Sequence, residues 1–248
     1  MVRVVSADVA ATSIPVGRDS LSAEVSAAMS RIPRHCFVPP ESRDLAYENQ
    51  PLQIGYGQTI SQPFIVALMS DLASVRPGDK VLEIGTGCGY QTAILAELGA
   101  EVFSIERIPQ LAEAALDRLD RLGFGGTIRI RSGDGTTGWP EHAPYNIIVV
   151  AAETNAAVVE ELLKQLAPGG RMVVPEKREA GARDAGSWGG NVEADDGGAP
   201  RISNLGYRLS GGPETDLCLI VKDENGECVK TPVLPVAFVP LVEGQATV

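Results

Sequence analysis

From Lys80 onward the chain alternates short apolar runs with segments of helical period, and this alternation limits the possible fold more than any other feature. "KVLEIG" reads as a short apolar strand, followed by a Gly-rich turn and the helix "YQTAILAEL". "EVFSIE" is a second strand. Pro109 then stands where a first-turn proline belongs, Leu111, Ala115, Leu119 and Leu122 share one helical face, and Gly123 stops it. "TIRIRS" is a third strand. "YNIIVVAA" is a fourth, a nearly unbroken apolar run of the kind buried on both faces. The helix "AAVVEELLKQL" stops at "APGG", and "RMVVPE" is a fifth strand. The pattern predicts an α/β fold with a doubly wound, mostly parallel sheet and helices on both faces.

The flanks are less regular. Residues 1–18 show no periodicity and are expected to form a loose arm, leaving 19–248 as a single domain. In 20–31, Leu21, Val25 and Met29, then Ile32, recur at helical spacing, with Asp19 or Ser20 as cap and Pro33 as terminator. A Pro-rich, polar connector leads to a helix expected from about Pro63 to Leu72. Residues 176–215 are rich in Gly and mixed charge and read as a flexible insertion. Beyond it, "DLCLIVKDENGECVKT" predicts an antiparallel hairpin around Asn225-Gly226, and "VAFVPL" a last strand.

Composition removes several function classes. A formal charge of −11 argues against nucleic acid, because phosphate binding draws on clustered Lys and Arg. Screening confines exposed charges to about 8 Å at physiological salt, so a local cleft can still receive a carboxylate. The four cysteines have no C-x-x-C spacing, and His35 and His142 are the only histidines. Disulfide frameworks, zinc sites and His-based triads are therefore not expected, and no metal is assigned. No apolar run reaches the roughly 18 residues of a membrane helix, and the N-terminus does not read as a signal peptide. The expectation is a soluble, cytoplasmic protein without a membrane partner.

Chemistry concentrates at "LEIGTGCGY", where Gly85, Gly87 and Gly89 separate a strand from its helix. Glycine allows a tight turn and a close ligand approach, and the helix start offers free N–H groups to an anion. The spacing is G-x-G-x-G, not the G-x-G-x-x-G of dinucleotide sites. Glu83 precedes the turn, Glu106 ends the second strand where it can accept two ribose hydroxyls, and Asp134 follows the third strand where it can meet an adenine amino group. These three acids in register point to S-adenosylmethionine. A second stretch, "IGYGQTISQP", holds hydroxyls and glycines but no charge. From spacing alone, Ser61 serves equally as cap of the helix opening near Pro63 or as a ligand group.

"FVPP", "AYENQPLQIGYGQTISQPFIVALM", "VLEIGTGCGYQTAILAEL", "IERI", "SGDGTTGWPEHAPYNIIVVAA", "LLKQLAPGGRMVVP" and "FVPL" occur in that order. Together they resemble the protein-L-isoaspartate O-methyltransferase family over about residues 20–176 and 216–242. The resemblance implies a class I, Rossmann-like sheet of seven strands with N-terminal helices and a C-terminal antiparallel hairpin. It implies S-adenosyl-L-methionine as donor, S-adenosyl-L-homocysteine as product, and isoaspartyl-containing proteins or peptides as substrates. The free α-carboxylate is methylated, and the ester closes to a succinimide that can hydrolyse to aspartate.

By the same resemblance Ser61 orients the carboxylate, and Thr59, Ile60 and Gln62 shape its approach. Gly85, Thr86, Gly87, Gly89, Glu106 and Arg107 hold the donor alongside Glu83, with Asp134 and Gly135 at the adenine. Val239, Pro240 and Leu241 line the isoaspartyl cleft. Three departures from the family pattern bear on substrate range: Cys88 where serine is common, Glu153-Thr154 after the fourth strand, and the 176–215 insertion. A second reading keeps the chemistry but methylates an aspartyl carboxylate in one dedicated peptide. A third is a non-catalytic module that binds an adenosyl ligand.

Overall fold

The computed structural model describes residues 1–11, 20–178 and 214–246. Two helices come first, α1 (Val2–Ala11) and α2 (Ala23–Arg31), then a small hairpin of β1 (Leu52–Gly55) and β2 (Gln58–Ile60) and the helix α3 (Pro63–Ala73). The alternating part follows: β3 (Lys80–Ile84), α4 (Tyr90–Glu97), β4 (Glu101–Glu106), α5 (Pro109–Arg121), β5 (Ile128–Ser132), β6 (Tyr145–Val150), α6 (Ala156–Leu163) and β7 (Leu166–Lys177). The long pair β8 (Thr215–Lys222) and β9 (Cys228–Val236) ends the regular structure.

Seven strands form one sheet in the order β5-β4-β3-β6-β7-β8-β9. The first five in that order run parallel, and β8 and β9 add antiparallel. This is the expected class I architecture with its C-terminal hairpin. Alternate residues of the strands enter two separate cores, as the period of two requires. Val81, Val102, Ile147 and Val149 join the core beneath the N-terminal helices, whereas Leu82, Phe103, Ile105, Ile148 and Val150 pack with Val159 and Leu162 of α6. Among the described residues no helix is long and apolar enough to cross a membrane.

The N-terminal region is more ordered than a loose arm. α3 is buried at all eleven positions, so it needs cover on every side. The sheet supplies one side, through β6 and β7, and α1, α2 and α4 supply the rest. Val5 and Val9, four residues apart, are the buried face of α1. Residues 12–19, the remainder of the expected arm, lie outside the described residues. The cap of α2 is Ser22 rather than Asp19 or Ser20: its hydroxyl accepts from Val25 N at 3.4 Å.

Toward the C-terminus, α6 stops at Leu163, and "APGG" belongs to an irregular opening of β7 instead of a helix stop. β7 and β8 pair as far as Lys177 with Thr215, so the ends of the expected 176–215 insertion are strand; residues 179–213 lie outside the described residues. "VAFVPL" is not a strand of its own. Val236 ends β9, and only a single bridge, Pro240 with Glu153, follows. Pro240 has no N–H to extend a ladder.

Candidate functional site

The strand order reverses between β3 and β6, and open α/β sheets bind ligands at the carboxyl ends of strands beside such a switch. The loop after β3 lies there. Gly89 is the N-cap of α4 with φ +87°, and no side chain caps that helix, so its first N–H groups remain available to an anion. Across the loop, a Cβ on Gly87 would sit 3.5 Å from Ile54 Cδ1, which places the β1–β2 hairpin directly over the turn. Gly135, after β5, is more confined: a Cβ there would meet Ile84 Cγ2 at 2.5 Å.

The acids play unequal parts. Glu106 is buried and accepts from Gly87 N at 2.8 Å and Ile108 N at 3.0 Å. Each carboxylate oxygen keeps a second acceptor site for a hydroxyl. Burial pushes its carboxyl up, against the pull of those backbone N–H groups. Glu83, expected to touch the donor, is fully enclosed. Its Oε2 accepts from Thr92 Oγ1 and Ser104 Oγ, each at 2.6 Å, and Oε1 has no partner. Desolvation raises this carboxyl to about 7, which the hydroxyls of Ser104 and Thr92 only partly offset. Thr86 likewise turns inward to Ser104 Oγ at 2.6 Å. Both side chains brace the loop from below.

Asp134 and Arg107 meet an unexpected neighbour. Asp134 Oδ1 accepts from Thr136 N and Oγ1, while Oδ2 accepts from Gly244 N at 2.7 Å. Ala246 N donates to the Arg107 carbonyl at 3.0 Å, and Gln245 Nε2 to Ser132 Oγ at 2.9 Å. Residues 244–246 therefore edge the place expected for the adenine. Burial alone would raise the Asp134 carboxyl, but the N–H groups of Gly244 and Thr136, the Thr136 hydroxyl and the Arg107 charge hold it below the usual range.

Ser61 is half-buried between β2 and α3, and no hydrogen bond engages its hydroxyl among the described residues. It does not cap α3. The N-cap is Gln62, which makes no capping bond itself; Asn49 Oδ1 instead accepts from Phe64 N at 3.0 Å. Gln62 Nε2 donates to the Asn49 carbonyl, so the two amides lock the connector to the helix start. Ile60 is buried and Thr59 half-buried on the adjoining strand.

Behind Ser61 lies a charge that sequence reasoning missed. Arg34 is 0% exposed. Its Nη2 donates to the Ser61 carbonyl at 2.8 Å and its Nε to the Ala46 carbonyl at 2.9 Å, and the guanidinium lies 4.8 Å from the Tyr90 ring. Nη1 has no partner. The available signal was "IPRHCFVPP", an Arg flanked by apolar residues and prolines in a segment read only as connector.

On the opposite side, Gly85 approaches Ala151 at the end of β6. Two residues on, Glu153 N donates to the Val239 carbonyl and Leu241 N to the Glu153 carbonyl, both at 2.8 Å. Thr154 N donates to the Pro175 carbonyl at 2.8 Å. The segment Val239–Leu241 is thus bonded to the end of β6, and the Glu153-Thr154 departure is the strip joining it to β7. Cys88 is buried, and its carbonyl accepts from Arg118 Nη1 at 2.7 Å.

Comparison with known proteins adds independent findings. The model of the family described as protein-L-isoaspartate(D-aspartate) O-methyltransferase matches residues 17–184. Protein-L-isoaspartate O-methyltransferase 2 of Syntrophobacter fumaroxidans is 46% identical over 98% of this chain and 85% of its own length. Protein-L-isoaspartate O-methyltransferase 1 of Cupriavidus necator is 44% identical over 98% of this chain and 80% of its own. A solved protein-L-isoaspartate O-methyltransferase superposes with a TM-score of 0.69 at 26% identity, covering 97% of this chain and 65% of that one. A Plasmodium falciparum structure, titled a putative member in complex with S-adenosyl-L-homocysteine, shares the fold at 20% identity with a TM-score of 0.66, covering 90% and 91% of the two chains.

Proposed function

Since this chain belongs to the protein-L-isoaspartate(D-aspartate) O-methyltransferase family, we infer that it methylates the free α-carboxylate of L-isoaspartyl residues in damaged proteins. The residues fit the donor this requires: an uncapped helix start at Gly89 for a carboxylate, a buried acid at Glu106 for ribose hydroxyls, and a slot at Gly135 that leaves no room for a side chain. When bound, S-adenosyl-L-methionine supplies a methyl group activated by a sulfonium, which an ionised carboxylate accepts without a general base.

The chain's own task is then placement. A carboxylate is already ionised near neutral pH, so no His or acid is needed beside it. The Ser61 hydroxyl, unengaged among the described residues, donates to one carboxylate oxygen and fixes its direction. Holding reactants in line in this way contributes up to about 7–11 kcal/mol. Thr59 and Ile60 flank the approach, Gln62 stays committed to Asn49, and Val239–Leu241 form the far wall. The observation that carries this reading is the buried guanidinium of Arg34, which binds the Ser61 main chain and packs on Tyr90, the first residue of α4. It joins the Ser61 main chain to the start of α4 through one rigid group. A cytoplasmic setting and the absence of a nucleic-acid partner are supported by four free cysteines and the net charge of −11.

The test is incubation with labelled S-adenosylmethionine and paired peptides that differ only in Asp versus isoAsp. Base-labile methyl ester on the isoAsp member alone is expected. Equal labelling of both, or labelling of the Asp member, would sink the reading.

A further inference from the structure

A cavity of about 590 Å³ opens between the segment after α2, the β1–β2 hairpin and α5. Ile54 and Tyr56 of the hairpin, Cys88 of the donor loop, and Arg43, Arg118 and Arg121 stand in its wall, and neither Asp nor Glu lines it. Arg118 and Arg121 donate to the carbonyls of Cys88 and Asp117, bonds that orient the guanidinium groups without neutralising them. Among the described residues none of the three arginines forms an ion pair. The chain has 21 basic and 32 acidic side chains, so three unneutralised arginines around one cavity run against its overall charge.

A negative protein repels acidic partners at a distance, but screening limits that field to about 8 Å at physiological salt. Inside a cavity with low-dielectric walls the local charge dominates. The cavity borders the site already described, because Gly87 and Cys88 of the loop after β3 stand in its wall beside Ile54 and Tyr56 of the hairpin that carries β2 toward Ser61. Tyr56 (φ +54°) and Gly57 (φ +71°) form the hairpin turn, and from Gly57 β2 leads to Ser61 in four steps, roughly 13 Å of extended chain. A peptide held at Ser61 and lying along this hairpin brings a residue four or five positions away into the cavity.

We propose that this cavity is a subsite for the polypeptide flanking the isoaspartyl residue, and that it selects acidic side chains there. The proposal rests on the isoaspartyl reading above and adds a sequence preference to it. The test uses isoAsp peptides of one core, carrying Glu, Gln or Lys at the fourth and fifth positions on either side. They are compared on the native protein and on a double variant, Arg43→Glu with Arg121→Glu. The readout is the ratio of kcat/KM between Glu and Lys peptides within each enzyme, so a general loss of activity cancels.

The native ratio is expected to favour Glu by roughly three- to tenfold, the scale of exposed charge pairs, and to shrink in high salt. The double variant is expected to reverse it. Equal ratios in the two enzymes, or no preference in the native one, would overturn the subsite while leaving the isoaspartyl activity standing. Methylation of none of the peptides would overturn both readings. S-adenosylhomocysteine affinity is measured in parallel: a fall in the double variant with an unchanged peptide ratio assigns the cavity to the donor and also overturns the proposal.

Discussion

The side chain of Arg34 donates to the main-chain carbonyl of Ser61 at 2.8 Å from a position with no solvent exposure. A second bond, to the Ala46 carbonyl, fixes the guanidinium plane. Burial lowers its pKa from the ordinary arginine value, while the neighbouring Tyr90 and Cys88 act in the other direction. Arg34→Lys keeps a charge but cannot span both carbonyls in one plane. We expect kcat on an isoAsp peptide to fall about tenfold or more, with S-adenosylhomocysteine affinity within about twofold of the native value. Arg34→Met should cost a further 1–3 kcal/mol of stability, roughly the desolvation cost of orphaned carbonyls. Steady-state kinetics, calorimetric titration and thermal melts separate these effects; unchanged kcat in the lysine variant would remove Arg34 from the mechanism.

Ser61→Ala should lower turnover and leave both donor affinity and melting temperature nearly unchanged. The stability half follows from the cap, since Asn49 and not Ser61 accepts from the start of α3. Asn49→Ala supplies the contrast, with an expected loss of about 1 kcal/mol in chemical denaturation. A clear drop in the stability of Ser61→Ala would contradict the assignment of the cap.

Gly135→Ala forces a methyl to 2.5 Å from the branched Cγ2 of Ile84, which cannot swing aside as a flexible tip would. We expect a loss of about 1–3 kcal/mol and weaker S-adenosylhomocysteine binding, read by thermal shift and titration.

Glu83 predicts a pH dependence. Its folded pKa of about 7 lies above the ordinary 4.5 because burial disfavours the anion. Between these values the folded state holds a proton that the unfolded state has released. Its contribution is therefore full below about pH 4.5 and is lost as pH rises through 7, a change on the order of 3 kcal/mol. Glu83→Gln cannot ionise, so its melting temperature should fall less than that of the native protein between pH 5 and 8. Parallel curves for the two would show that Glu83 does not titrate in this window.

The α/β core was legible because strands buried on both faces announce themselves as apolar runs and because α4 and α5 are each closed by a glycine, Gly99 and Gly123. α1 was not, because its buried face rests on two valines, Val5 and Val9, in ten residues, and its need arises only from the fully buried α3 beneath it. The tight turn after β3 was legible in its glycines, and the strand-end position of Glu106 in the apolar run before it. Glu83 and Thr86 were assigned to the ligand when their side chains point into the protein, a distinction of direction that spacing does not carry. Ser61 could be singled out but not freed from the capping alternative, since that choice depends on Asn49, thirteen residues before Gln62. The role of Arg34 was missed for the same reason. Its partners, Ala46 and Ser61, are backbone atoms at separations of 12 and 27 residues.

The strip at Glu153-Thr154 is fastened by peptide groups on one side to Val239 and Leu241 and on the other to Pro175, where the Thr154 hydroxyl adds a bond at 2.9 Å. The peptide fastenings are indifferent to side-chain identity. The span between these chain segments is set by the repeat of a β-ladder, near 4.8 Å per step, whatever residues occupy it. Substitution at these two positions should therefore leave the gauge of that opening unchanged.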